Sequence, residues 1–231
     1  MTSIAANLQA VRARISAACL AAGRAADSVQ LLAVSKTWPT ASLREAVAAG
    51  QHAFGENYLQ EALEKIGELA GRELEWHFIG PLQSNKTRPV AEHFAWVHSI
   101  DRIKVAQRLA EQRPPGMAPL QVCLQVNLSG ETSKGGCTPE QAGELAAAVG
   151  ALPGLRLRGL MSIPEPTDDV AQQRARFSQL RGMLEALNRS TGLALDTLSM
   201  GMSHDLEAAI MEGATIVRIG TAIFGQRHYT T

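Results

Sequence analysis

Cysteine is scarce in this sequence, and the three that occur show no spacing typical of a metal site. The number of cysteines is also odd, which argues against a disulfide framework; they are Cys19, Cys123 and Cys137. We therefore expect them to be small buried residues in a reducing, cytoplasmic compartment. The six histidines show neither HxxxH nor HxH spacing, and no cluster of carboxylates flanks them. We accordingly expect no metal site.

The sequence also has no surplus of charge and no long apolar run. Lys and Arg together number 22, as do Asp and Glu, and no extended basic segment occurs. Binding to nucleic acid and attraction to an acidic membrane are therefore not expected. No apolar segment approaches the length of a transmembrane helix. Asn7, Gln9, Arg12 and Arg14 interrupt the N-terminal region, so a secretory signal peptide is not expected either.

Strand-like and helix-like segments alternate along the chain. Apolar runs predict eight strands, at residues 29–36, 52–56, 75–80, 96–100, 120–127, 155–163, 197–200 and 215–220. Helix-compatible segments lie between them, at residues 40–49, 57–70, 83–92, 101–112, 138–150, 168–191 and 204–213. One further helix is predicted before the first strand from an apolar stripe at Ile4, Leu8, Val11, Ile15 and Cys19.

This alternation predicts an α/β protein with a parallel sheet. Eight strands in a chain of 231 residues favour a single (β/α)8 barrel of the TIM type with an extra N-terminal helix. A doubly wound open sheet is the structural alternative. No linker or low-complexity tract divides the chain, so we expect one domain over residues 1–231.

The first predicted strand ends in a lysine. Because strand side chains alternate, Lys36 lies on the same face as Leu32 and Val34, which should point into the core. A lysine there is costly unless it reaches solvent, pairs or loses its charge. A neutral amine is what a Schiff base requires, whereas a lysine at a strand end can also extend its charge into water. Both interpretations stay open from this segment alone.

Polar residues collect where the predicted strands end. They are Lys36, Asn57, His77, Ser99, Asn127, Ser162, Ser199 and Arg218. In a barrel the carboxyl ends of all strands meet at one rim, where active sites lie. The pattern therefore predicts a polar site at that rim.

Two glycine-containing loops follow the last two predicted strands. Residues 199–203 (SMGMS) lead into a helix, and Gly220 and Thr221 follow the eighth strand. Barrel enzymes often bind a phosphate between these two loops, through backbone amides and a helix N-terminus. Asp205 would repel a phosphate unless its carboxylate turns away. Glycine turns that merely close the barrel are the alternative.

Arg218 lies inside an apolar strand, between Val217 and Ile219. Arginine cannot give up its charge, so its burial requires a partner. We expect either a core carboxylate or an acceptor on a ligand, such as a ring nitrogen.

Several segments together carry a resemblance that covers almost the whole chain. They are residues 32–37 (LAVSKT), 54–58 (FGENY), 76–86 (WHFIGPLQSNK), 159–161 (GLM), 199–203 (SMGMS) and 218–225 (RIGTAIFG). With these motifs the sequence resembles the YggS/PROSC family of pyridoxal 5′-phosphate (PLP) homeostasis proteins. Members of that family are similar to the barrel domain of bacterial alanine racemase.

The resemblance implies a set of cofactor-binding residues. Lys36 would hold PLP as a Schiff base, and Arg218 would lie near the pyridine nitrogen. The phosphate would lie at Ser199, Met200, Ser203, Gly220 and Thr221. Around the ring or the rim would lie Asn57, His77 and Met161. His204 stands where many relatives carry an acidic residue, a departure that concerns the phosphate loop.

The chemistry of these positions argues against efficient catalysis. The PLP ring accepts electrons most strongly when its pyridine nitrogen is protonated, which a neighbouring carboxylate promotes. An arginine there cannot accept a proton, so we expect the nitrogen to stay neutral and the ring to be a weak electron acceptor. Racemisation also needs acid or base groups on both faces of the substrate carbon. In racemases the opposing tyrosine comes from a second domain or a partner subunit, and Tyr58 and Tyr229 are the only tyrosines in this sequence.

We therefore expect a non-catalytic PLP-binding protein that buffers or delivers the cofactor and influences amino- and keto-acid balance. Apo forms of PLP-dependent enzymes are its expected recipients. A PLP-dependent amino-acid racemase with weak activity is the alternative, and a PLP-free barrel for another phosphate ligand is a third interpretation. Since the second domain of the racemases is not in the sequence, we expect a monomer.

Overall fold

Eight short parallel strands close into a barrel in the computed structural model, which describes residues 3–129 and 135–226. The strands pair in chain order, and β1 closes the barrel against β8 with Leu32 opposite Arg218. They are β1 (Gln30–Val34), β2 (Ala53–Glu56), β3 (Glu75–Phe78), β4 (Trp96–Ile100), β5 (Leu120–Gln125), β6 (Leu155–Met161), β7 (Thr197–Ser199) and β8 (Ile216–Ile219). This closure confirms the predicted (β/α)8 barrel and excludes the open sheet.

Helices surround the barrel, and one of them precedes β1 as predicted. They are α1 (Ile4–Ala21), α2 (Thr40–Ala48), α3 (Leu59–Glu68), α4 (Thr87–His93), α5 (Ile103–Gln112), α6 (Ala142–Gly150), α7 (Val170–Thr191), α8 (Leu206–Met211) and α9 (Thr221–Phe224). A 3-10 turn at Ser84–Lys86 leads into α4. The sequence did not predict α9, because four residues are too few to show a helical period.

Strand alternation separates the core into two layers. The outer layer lies between the strands and the helices and includes Ala33, Phe54 and Val97. The inner layer fills the barrel and contains Leu32, Val34, Ala53, Ile79, Trp96, Cys123, Met161 and Ile216. Since Leu32 and Val34 point into the barrel, the predicted orientation of the first strand is confirmed.

The cysteines are free and buried, as the sequence predicted. Burial raises the pKa of Cys123 to about 12 and that of Cys137 to about 11, so both thiols stay protonated. Among the described residues no group of His, Cys, Asp and Glu side chains is arranged to hold a metal ion. No helix in the same part of the chain is long and apolar enough to cross a membrane.

Candidate functional site

A cavity of about 200 Å³ opens where β1, β2 and β8 end. Its lining residues are Val34, Lys36, Asn57, Ile79, Ile163, Met202, Ser203, His204, Arg218, Gly220 and Thr221. A larger cavity of about 420 Å³ lies at the amino ends of the strands, beside Arg12, Gln30 and His52, and contains none of the predicted site residues. Barrel sites form at the carboxyl ends of strands, so the smaller cavity is the candidate site.

Six of the ten predicted binding residues line this cavity. They are Lys36, Asn57, Ser203, Arg218, Gly220 and Thr221. They come from the first two and the last two strand ends, which the closure of the barrel brings together. Three residues of the predicted polar rim, Lys36, Asn57 and Arg218, are thus brought together from distant parts of the chain.

The other four predicted residues are fully buried away from the cavity wall. His77 and Ser199 belong to a hydrogen-bonded group inside the barrel, and Met161 packs in the inner apolar layer. Met200 packs in the outer layer, because consecutive strand residues point to opposite faces. These four side chains are not among those that line the cavity, and their expected contacts with the cofactor stay predictions.

The loop that carries Lys36 is held by a buried ion pair. Lys65 of α3 donates to the carbonyl oxygen of Ser35 at 2.7 Å and to Glu56 Oε1 at 2.8 Å. Ser35 Oγ donates to the same Glu56 oxygen at 2.6 Å. Burial raises the pKa of Glu56, and the neighbouring Lys65 opposes that rise. These contacts fix the residue that immediately precedes Lys36.

The residue that follows Lys36 is also constrained. Thr37 has a φ of +68°, a left-handed conformation that is rare for a β-branched residue. Its backbone amide donates to Glu61 Oε1 at 2.5 Å, and Glu61 in turn contacts Lys65. The backbone is thus anchored on both sides of Lys36, while the side chain of Lys36 reaches the cavity.

Arg218 is 4% exposed and lies at the boundary between the cavity and the barrel interior. Its Nη1 donates to the carbonyl oxygen of Ser199 at 2.6 Å and to Ser199 Oγ at 2.9 Å. Its Nη2 donates to the carbonyl oxygen of Ser162 at 2.9 Å. Burial lowers the pKa of Arg218 to about 10, which still leaves it charged at neutral pH. No carboxylate of the described residues forms an ion pair with it, so the expected core carboxylate is not its partner.

Asn57 presents an unused acceptor at the site. Its Oδ1 atom is buried and has no hydrogen-bond partner, and the residue lines the cavity. Close backbone packing fixes its position, because a Cβ atom at Gly80 would lie 2.4 Å from the carbonyl oxygen of Asn57. Buried acceptors are normally satisfied, so this atom indicates a place for a ligand or a water molecule.

The two predicted phosphate loops contact each other. Ser203 Oγ accepts from the backbone amide of Ala222 in α9 at 3.3 Å. Asp205 Oδ1 accepts from the amide of Met202 at 2.6 Å, so its carboxylate is engaged within its own loop. Burial raises the pKa of Asp205. The loop geometry requires Gly201, which has a φ of +94° and would place a Cβ atom 2.6 Å from that of Ala209.

Sequence reasoning missed three residues around the site: Glu56, Lys65 and His98. The first two could have been suspected from the sequence. Glu56 is a charged residue at the end of an apolar strand, and Lys65 follows on the next helix as a possible ion-pair partner. His98 lies two residues after Trp96 in β4, so both side chains are on the same face of the strand. This predicts that the histidine is buried but does not identify its hydrogen-bond partner. Their contacts depend on the tertiary fold.

Known proteins similar to this chain cover it almost completely. The family described as alanine racemase, N-terminal domain, matches residues 2–228. The pyridoxal phosphate homeostasis protein of Pseudomonas aeruginosa is 66% identical over 229 residues, which are 99% of this chain and 98% of that protein. The protein of the same name from Escherichia coli is 53% identical over 238 residues, with coverages of 100% and 99%.

Solved structures agree with this relationship. PipY of Synechococcus elongatus PCC7942, with PLP bound, gives a TM-score of 0.85 at 40% identity, over 96% of this chain and 100% of PipY. Alanine racemase from Corynebacterium glutamicum shares the fold, with a TM-score of 0.72 at 20% identity, over 95% of this chain and 62% of its own. The resemblance drawn from the sequence motifs is confirmed. The chain therefore belongs to the family of pyridoxal phosphate homeostasis proteins, which is built on the barrel of the alanine racemase N-terminal domain.

Proposed function

We propose that this protein binds PLP in the cavity at the carboxyl ends of the strands and acts in PLP homeostasis. The observation that carries the proposal is that Lys36 and Arg218 line the same cavity in a chain 66% identical to a pyridoxal phosphate homeostasis protein. In this function Lys36 attaches the cofactor covalently through its side-chain amine. Buffering or delivery of PLP then affects amino- and keto-acid balance indirectly.

The chemistry of the cavity fits PLP. The cofactor has a hydroxyl group on its ring, which can donate to the unsatisfied Oδ1 atom of Asn57. Its phosphate needs donors, and Ser203, Gly220 and Thr221 supply hydroxyl and backbone groups at the wall. Arg218 supplies a fixed cation in the cavity wall. The apolar side chains of Val34, Ile79 and Ile163 complete the wall, as a planar ring requires.

The same cavity is poorly equipped for turnover. When bound, PLP supplies an electron-accepting ring, which is most effective beside a carboxylate. No Asp or Glu is among the lining residues, and Arg218 is an obligate donor that cannot take up a proton. Tyr58 is not a lining residue, and Tyr229 lies outside the described residues. We therefore favour a carrier with no catalytic residues.

A weakly active amino-acid racemase is the second candidate function. His204 favours it, because this exposed imidazole lines the cavity with Lys36 and is a side chain of the type that serves as a general acid or base. Racemisation needs two such groups on opposite faces of a substrate carbon. The assay for this candidate is sustained conversion of L- to D-amino acids by the PLP-loaded protein.

Borohydride reduction followed by peptide mass analysis tests the proposal directly. We expect the mass of reduced PLP on the peptide that contains Lys36, and its loss in Lys36→Ala. Lys86→Ala, at an exposed lysine, is the matched control and should retain the adduct. A colourless protein without an adduct would contradict PLP binding. Sustained racemisation that disappears in Lys36→Ala would instead establish the racemase.

Four further expectations belong to this proposal. The chain acts as one domain over residues 1–231, in the cytoplasm, and as a monomer. Its recipients are apo forms of PLP-dependent enzymes. Size-exclusion chromatography with light scattering measures the oligomeric state, and PLP transfer to a purified apo-enzyme measures delivery.

A further inference from the structure

A chain of hydrogen bonds crosses the interior of the barrel behind the cavity. It starts at Arg218 Nη1, which lies 2.9 Å from Ser199 Oγ, and continues over 2.7 Å to His98 Nδ1. His98 Nε2 lies 2.9 Å from His77 Nδ1, and His77 Nε2 lies 2.8 Å from Glu75 Oε1. Glu75 is the first residue of β3, so the chain runs from the cavity to the opposite end of the barrel.

The chemistry of the two end groups, Arg218 and Glu75, fixes the direction of donation along this hydrogen-bond chain. Arginine can only donate, and an ionised carboxylate can only accept. The hydrogen bond from His77 lowers the pKa of Glu75 to about 2, so Glu75 is ionised at neutral pH. His77 must therefore carry its proton on Nε2 and accept at Nδ1. It follows that His98 donates from Nε2 and accepts from the Ser199 hydroxyl at Nδ1.

Burial keeps both histidines neutral, as this arrangement requires. His77 and His98 are 0% exposed. Desolvation is the largest cause that lowers the pKa of each ring, and for His98 the charge of Arg218 lowers it further. Trp96 stacks on the His77 ring at 5.4 Å with an angle of 3° between the planes, which fixes the orientation of the ring. A reversed tautomer of one histidine would set two hydrogens or two lone pairs against each other.

The consequence for Arg218 comes through the Ser199 hydroxyl. Two of the acceptors of Arg218 are backbone carbonyls, whose orientation is fixed. The third is the Ser199 hydroxyl, whose hydrogen can rotate about the Cβ–Oγ bond. Its hydrogen must point to His98 for its lone pairs to face Arg218. We propose that Glu75, His77 and His98 are positioning residues, which act through Ser199 to hold Arg218 as a fixed donor in the cavity wall. This inference rests on the proposed function, in which Arg218 faces bound PLP.

The direction of donation along the hydrogen-bond chain can be measured without any cofactor. Nitrogen-15 NMR of histidine-labelled apo protein distinguishes the two neutral tautomers of each ring. We expect His77 and His98 to be neutral at pH 7, with the proton on Nε2 in both. A protonated Nδ1 on His98 would overturn the proposal, whatever the outcome of PLP binding.

Two substitutions at His98 separate positioning from packing. Asn retains an oxygen that can accept near the position of His98 Nδ1, whereas Phe retains the ring volume and loses the acceptor. We expect His98→Phe to release PLP about tenfold faster than the wild type and to change the visible circular dichroism of bound PLP, because the buried Ser199 hydroxyl loses its acceptor. His98→Asn should stay within about twofold of the wild-type rate, since that acceptor persists.

The opposite order, with His98→Phe closer to the wild type than His98→Asn, would show that His98 only fills space and would overturn the proposal. Equal rates and spectra for both variants and the wild type would overturn it as well. Borohydride reduction of each variant verifies attachment at Lys36. Failure of that adduct in the wild type would reject the proposed function, while the tautomer measurement would still decide on the hydrogen-bond chain. That measurement on the wild type also suffices if a variant does not fold.

Discussion

Lys65 Nζ lies 2.7 Å from the carbonyl oxygen of Ser35, the residue that precedes Lys36. The same ammonium group pairs with Glu56, and the two side chains are 4% and 0% exposed. A residue of α3 therefore holds the end of β1 in place. The proposed attachment lysine depends on a second lysine that never reaches the cavity.

Removing the charge of Lys65 should destabilise the fold. In Lys65→Met the Glu56 carboxylate stays buried without its ion-pair partner, and we expect a loss of about 3 kcal/mol in the free energy of unfolding. Urea unfolding at pH 7 measures this loss. Lys104→Met, at an exposed position, is the control. The double variant Glu56→Gln/Lys65→Met should recover part of the loss, since neither charge is then left alone; no recovery would contradict the ion-pair explanation.

Asn57→Ala should separate binding from stability. The Oδ1 atom of Asn57 is buried without a partner, so its removal should change the unfolding free energy of the apo protein by less than about 1 kcal/mol. PLP affinity should fall about tenfold, because the ligand loses one hydrogen bond in a partly buried site. A PLP titration followed by absorbance, together with urea unfolding of the apo form, measures both quantities. An unchanged affinity would show that Asn57 does not contact the cofactor.

Gly201→Ala should perturb the loop between β7 and α8. The glycine has a φ of +94°, and a Cβ atom would lie 2.6 Å from that of Ala209, so we expect a loss of about 2 kcal/mol. Gly182→Ala is the matched control, since this exposed glycine in α7 has open space around it. It should gain about 0.5 to 1 kcal/mol from helix propensity. Equal effects of the two variants in urea unfolding would contradict the steric argument.

The sequence predicted the parts of the site that depend on local patterns. Strand alternation gave the inward orientation of Leu32 and Val34, and thereby the side of the strand on which Lys36 lies. The order of strands in a barrel then brought Lys36 and Arg218 to the same cavity, because β1 pairs with β8. These inferences needed only the alternation of side chains along a strand, with a period of two residues, and the count of eight strands.

The same alternation explains part of why four of the predicted binding residues do not line the cavity. Ser199 and Met200 are consecutive, so their side chains point to opposite faces of the sheet, and Met200 packs in the outer layer. His77 was expected at the rim, but it binds His98 and Glu75 inside the barrel. Its depth depends on the register between β3 and β4, which a single sequence does not specify. The contacts between α3 and the end of β1 also depend on the tertiary fold, which a single sequence does not specify.

The buried histidines should make stability depend on pH between 6.5 and 4.5. Burial lowers the pKa of His77 and of His98 below 6.5, so the unfolded chain binds more protons than the folded one as the pH falls below that value. Their contribution to stability is therefore complete above pH 6.5 and is lost on acidification. Glu75, with its pKa lowered from 4.5 to about 2, contributes stability above pH 4.5 that is lost only at lower pH.

Each neutral buried histidine should add a slope of up to about 1.4 kcal/mol per pH unit within that window. In His98→Asn one titrating group is gone, so the slope should fall by up to the same amount. Urea unfolding at several pH values between 7 and 4.5 measures both slopes, and His93→Asn, at an exposed histidine, is the matched control. Equal slopes for the wild type and His98→Asn would mean that His98 is not neutral in the folded barrel. In that case the hydrogen-bond chain could not run in one direction from Arg218 to Glu75.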